Sequence, residues 1–149
     1  MAPTLPFRPE RRRPVVLLIE DNSMHRDLYG MVIEEELSLL TATRGETGFD
    51  LAHAERPDVI VCDAVLPDGD GLKLCQRLRS HPDTASIPVV ILTGDDDAYA
   101  RASNNPSAFA SVLMKPCPAD YLLTALRKAL KARHAAMAGT HFQNPSKHE

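Results

Sequence analysis

Pro57-Asp58-Val59-Ile60-Val61-Cys62-Asp63 sets four consecutive apolar residues between a turn-forming Pro-Asp pair and an acid. A strand with one wet face alternates apolar and polar side chains, so this unbroken run predicts a strand covered on both faces, as inside a parallel sheet. Val15-Val16-Leu17-Leu18-Ile19 and, after Pro88, Val89-Val90-Ile91-Leu92 have the same character. Leu37–Thr43 and Ser111–Met114 are weaker strand candidates.

Helical segments fill the intervals. Asn22 or Ser23 can cap a helix running to about Glu36, with Leu28, Met31, Val32 and Ile33 facing inward. Glu46–Glu55 and Gly71–Ser80 follow, the latter carrying Leu72, Leu74, Cys75 and Leu78. The stretch from Asp95 has few large apolar residues and meets Asn104-Asn105-Pro106, so a short or mobile fourth helix is expected. In the last helix Pro118 suits the first turn, Tyr121, Leu122, Leu126, Ala129 and Leu130 form a stripe, and Gly139 is the expected stop. Strand and helix thus alternate five times, predicting an α/β fold: a (βα)5 doubly wound, open, parallel five-stranded sheet with helices on both faces. Right-handed crossovers then bring all strand C-termini to one edge, where such sheets bind ligands.

A chain of 149 residues supports one domain with tails, drawn here as a basic arm at 1–13, a domain at 14–138 and a tail at 139–149. Apolar residues at 44% and charged residues at 25% exclude wholesale disorder. No apolar run approaches the roughly 18–20 residues that cross a bilayer, so a cytoplasmic protein without membrane contact is expected. Cys62, Cys75 and Cys117 form no Cys-x-x-Cys pair and read as reduced thiols, and the six histidines show no metal-motif spacing. A net charge of −3 argues against nucleic acid as a partner; Arg8, Arg11, Arg12 and Arg13 read as a solvated arm.

The sheet edge collects a specific set of side chains. Glu20 and Asp21 end the first strand, Asp63 the third, Thr93 the fourth, and Lys115, before Pro116, the fifth. Singly, each has a plain reading as a helix cap, a strand-end residue or a solvated cation. Together, three crowded carboxylates repel unless a cation joins them, and oxygen-only ligands suit Mg²⁺. Such an ion would orient a phosphoryl donor and leave one carboxylate free to attack, while Lys115 offers a charge and Thr93 a hydroxyl to phosphoryl oxygens.

Four segments, Ile19-Glu20-Asp21-Asn22, Asp63-Ala64-Val65-Leu66-Pro67-Asp68-Gly69-Asp70-Gly71, Leu92-Thr93-Gly94 and Lys115-Pro116, resemble the receiver domain of bacterial two-component response regulators, from about Pro14 to Ala138. The resemblance implies a flavodoxin-like fold, Asp63 as phosphoacceptor, Asp21 as a direct Mg²⁺ ligand, Glu20 acting through water, and the Val65 carbonyl as a further ligand. It implies phosphate-sensing roles for Thr93 and Lys115, a cis Lys115-Pro116 bond, and a turn at Asp70-Gly71 that uses glycine's permissive backbone. The expected partners are a histidine kinase or histidine phosphotransfer protein, and a downstream protein on the face of the fourth helix, fifth strand and last helix. A monomer or weak dimer is expected, with no enzymatic turnover beyond self-catalysed phosphotransfer and autodephosphorylation.

One departure stands out: Val112 occupies the position, three before the lysine, where the family carries an aromatic that swings inward on activation. That motivates a second reading, a degenerate receiver that signals without phosphate; the intact acidic set argues against it. A third, a phosphohydrolase of the haloacid-dehalogenase type, expects Asp-x-Asp after the first strand and a sizeable cap, and the chain offers neither. With one helix and a short tail after Lys115, a stand-alone receiver is expected, provided the chain is not a segment of a longer regulator.

Overall fold

The computed structural model describes residues 12–143, with side chains to 138. Arg8, Arg11 and the tail at 144–149 lie outside the described residues. Five parallel strands, β1 (Val15–Ile19), β2 (Ser38–Ala42), β3 (Val59–Cys62), β4 (Val89–Thr93) and β5 (Ser111–Met114), stand in the order β2-β1-β3-β4-β5. The chain winds outward from β1 to β2, then returns to place β3 on the other side of β1. The order therefore reverses between β1 and β3, and their C-terminal ends flank the crevice where this architecture binds ligands.

The continuous apolar runs are explained by burial on both faces. Leu17, Ile19, Ile60, Cys62, Val89 and Ile91 pack on one side with residues of α2 (Gly45–Glu55), α3 (Gly71–Arg79) and α4 (Asp96–Ser103). Val16, Leu18, Val59, Val61, Val90 and Leu92 pack on the other with Tyr29 and Ile33 of α1 (Ser23–Glu34) and Leu122, Leu126 and Ala129 of α5 (Ala119–Gln143). Truncating a fully buried residue such as Ile60 removes contacts in the middle of a layer, a change of about 2–5 kcal/mol.

Capping follows the sequence closely. The side chains of Asn22, Asp70 and Asp95 accept from the N–H groups of His25, Leu72 and Ala98, closing the N-termini of α1, α3 and α4. Asn104 ends α4 after eight residues, as its sequence predicts. Helix α2 differs, because its N-cap, Arg44, gives no side-chain bond. Asp68, in the loop after β3, reaches across instead: its two oxygens accept from the N–H groups of Gly45 (2.7 Å) and Glu46 (3.0 Å). These backbone bonds hold its carboxyl below the usual aspartate value. A lowered folded value contributes stability that is complete above the unfolded value and is lost as pH falls through the folded one. Asp68→Ala should therefore lower the thermal midpoint at neutral pH, and the gap to the native chain should close as the pH drops below 3.8; a gap independent of pH would contradict the cap.

Four sequence expectations about the helices and the arm need correction. Leu28 and Met31 are exposed; Val32 and Ile33 face the core as expected, and Tyr29 and Gly30 take the inward places beside them. Tyr121 is exposed, while Leu123 and Ala125 join the buried stripe of α5. Gly139 does not stop α5, which runs to Gln143, so the boundary drawn at 138 falls inside the helix. A glycine costs a helix only about 1 kcal/mol, and Ala135, Ala136 and Ala138 around it favour continuation. Arg13, counted with the basic arm, donates to the Glu34 and Glu36 carbonyls at the end of α1.

Candidate functional site

Backbone bonds between neighbouring strand ends fix the spacing of the acidic groups. The Glu20 N–H donates to the Ala42 carbonyl (2.9 Å), that of Asp63 to Ile19 (3.1 Å), and that of Lys115 to Thr93 (2.9 Å). Glu20, Asp21, Asp63, Val65, Thr93 and Lys115 consequently line one open cleft of about 440 Å³. All six residues singled out in the sequence are brought together there.

Burial divides the carboxylates. Glu20 and Asp63 are buried and Asp21 is exposed at the mouth. One oxygen from each lies within 4.8 Å of the others. This oxygen-only set, one member open to solvent, fits a hard divalent ion that keeps part of its water, as Mg²⁺ does.

Lys115 sits between the two buried carboxylates, with Nζ 2.7 Å from Glu20 Oε1 and 3.0 Å from Asp63 Oδ2. Burial acts to lower its pKa, but the bonds and charges of Glu20 and Asp63 outweigh that, and the net shift is upward, so the ammonium persists. The remaining oxygens are also held: the Val65 N–H donates to Asp63 Oδ1 (3.1 Å) and the Asn22 N–H to Glu20 Oε2 (3.1 Å). Thr93 is fully buried, and its Oγ1 accepts from the Asp95 N–H at 3.2 Å, which links the hydroxyl to the first turn of α4. The Lys115-Pro116 bond is cis.

Gly71 is needed here for a reason different from the expected backbone freedom. Its φ is not positive; a Cβ there would lie 2.2 Å from the Asp63 carbonyl oxygen. The start of α3 thus presses on the acceptor's own peptide, with the Gly71 N–H donating to the Ala64 carbonyl at 2.7 Å. Cys62, beneath Asp63, is fully buried, and its neighbour Cys75 and its burial push its thiol well up, which makes it inert packing.

Residues 16–127 match the family described as the response regulator receiver domain. The chain belongs to that family. Receivers are signalling domains of two-component systems rather than conventional enzymes. The chain is 33% identical over 119 residues to the DNA-binding dual master transcriptional regulator RpaA of Synechocystis, covering 79% of this chain and 49% of that protein. It spans about half the length of the first curated relatives it matches. Among solved structures, the receiver domain of an HD domain-containing protein from Pseudomonas fluorescens superposes with a TM-score of 0.77 at 27% identity, covering 90% of this chain and 98% of that one. The receiver domain of the sensor histidine kinase PA1611 from Pseudomonas aeruginosa, solved with magnesium in its active-site cleft, has the same fold (TM-score 0.73, 21% identity, 80% and 98% covered).

Two features of this receiver escaped the sequence reading. His25 lies at the cleft, with Nδ1 3.1 Å from Lys115 Nζ, and Tyr29 Oη accepts from the Cys117 N–H at 3.1 Å. Both pairs join residues about ninety positions apart, so only the Asn22 cap, which fixes the start of α1, hinted at them. Val112 is half-buried and packs on the same core layer as Phe109, whose ring lies 5.8 Å from the Arg79 guanidinium. Among the described residues no helix is long and apolar enough to cross a membrane.

Proposed function

We propose that this receiver accepts a phosphoryl group on Asp63 from a phosphohistidine of a histidine kinase or histidine phosphotransfer protein, and signals by altered partner binding. The observation that carries the reading is Asp63's placement: a buried carboxylate at the switch point, bonded to Lys115 and grouped with Glu20 and Asp21. An Asp63 oxygen attacks phosphorus; the O–P bond forms as the donor's P–N bond breaks, and the leaving imidazole takes up a proton. Lys115 neutralises one phosphoryl oxygen and Thr93 donates its hydroxyl to another.

Asp21 and Asp63 would hold Mg²⁺ directly, with Glu20 acting through water and the Val65 carbonyl as a further ligand, a reading supported by the convergence of the three carboxylates within 4.8 Å. When bound, the ion offsets the negative charge that gathers as the phosphoryl group transfers. Drawing Thr93 towards the new oxygens would disturb its bond from Asp95 and so the start of α4. The output surface in this reading is the face of α4, β5 and α5, in a monomer or weak dimer. A phosphate-independent adaptor has no use for three converging carboxylates around a lysine.

Incubating the full chain with acetyl phosphate and Mg²⁺ tests the reading. One acyl-phosphate adduct, labile in alkali and absent when the metal is chelated, is expected. A chain that gains no adduct under these conditions is not a phosphoacceptor.

A further inference from the structure

An ammonium carries three N–H donors and no acceptor, and each donor of Lys115 has a partner: Glu20 Oε1 at 2.7 Å, Asp63 Oδ2 at 3.0 Å and His25 Nδ1 at 3.1 Å. The first two belong to the acidic set; the third has no role in the reaction described above. Because the ammonium only donates, the facing Nδ1 accepts, which leaves the ring proton on Nε2. The first turn of α1 fixes the imidazole. The His25 N–H donates to Asn22 Oδ1 (3.0 Å), and the ring lies edge-on to Tyr29 with centroids 6.4 Å apart. Tyr29 in turn accepts from the Cys117 N–H, so α1 holds the lysine's loop at two points, the ammonium and the backbone two residues on.

We infer that His25 is a positioning residue for phosphoryl transfer: it engages one donor of Lys115 while Glu20 engages another, so that the third is aimed at Asp63 and at the phosphoryl oxygen arriving there. The inference rests on Asp63 being the acceptor. A tetrahedral ammonium with two donors fixed has one direction left for the third. Without the imidazole, the ammonium loses one of its three anchors and can shift and rotate between Glu20, Asp63 and water, and that freedom has to be lost again each time a phosphoryl group is gripped.

Two substitutions in the full chain separate this role from mere packing. His25→Leu fills the space without an acceptor, and His25→Asn puts an amide oxygen near the Nδ1 position. In the presence of saturating Mg²⁺, the rate of acetyl phosphate uptake should fall about tenfold in His25→Leu and return to within about threefold of native in His25→Asn, with Mg²⁺ affinity held within about twofold. Long-range proton–nitrogen NMR of the native chain in chelator should place the ring proton on Nε2, a readout independent of activity and of either variant's folding. A proton on Nδ1, a native rate in His25→Leu, an Asn variant as slow as the Leu variant, or a loss of Mg²⁺ affinity that accounts for the slower rate would each overturn the positioning role. Native chain that labels normally beside any of these results leaves the Asp63 assignment standing; native chain that never labels overturns both.

Discussion

Asp63→Ala should abolish phosphoryl uptake from acetyl phosphate, a loss of at least about a hundredfold, while the chain stays folded. Retention of the fold follows from what the carboxylate touches. Asp63 accepts from Lys115 and from the Val65 N–H. Lys115 keeps Glu20 and His25 as partners, and the Val65 N–H lies at the cleft wall, within reach of solvent. The strand itself is held by the Asp63 N–H to Ile19 bond, which alanine retains. Loss of uptake follows because the two other carboxylates are committed or displaced: Glu20 Oε1 is bonded to Lys115 and its Oε2 to the Asn22 N–H, and Asp21 stands out at the mouth. Intact-protein mass after incubation reads the uptake, and circular dichroism reads the fold. An adduct of native abundance on a well-folded Asp63→Ala chain would put the acceptor elsewhere and end the assignment.

The sheet and the acidic set were legible because both are written locally. A short β-branched apolar run between turn residues points to a strand buried on two faces, and the residue that follows such a run lies at the strand's C-terminal end. What the sequence left open was the rotation of helices and any bond across the chain. Helix α1 carries two apolar stripes, Met24, Leu28 and Met31 on one side and Tyr29 and Ile33 on the other, and only packing against Val16 and Leu18 decides which is inside. Periodicity reports that a stripe exists and is silent when there are two. Asp68 at the start of α2 and His25 beside Lys115 are likewise products of the finished fold, since nothing within a few residues of either names its partner.

Replacing Lys115 with Met should destabilise the chain in chelator by about 3–5 kcal/mol, the usual cost of removing one partner from a buried ion pair. The lysine side chain is only 9% exposed and bridges Glu20 and Asp63, at 2% and 10%. Methionine keeps the stem's volume but leaves those two carboxylates facing each other with Asp21 close by, and no cation to join them. Mg²⁺ should then do for the variant what the ammonium does for the native chain. An ion that binds only the folded state stabilises by an amount that grows as its dissociation constant falls, and removing a competing positive charge lowers that constant. Urea titrations with and without Mg²⁺ should therefore show a larger gain for Lys115→Met than for the native chain. Equal gains would mean that the ammonium and the metal do not share the same carboxylates, and the electrostatic account of the cleft would have to be abandoned.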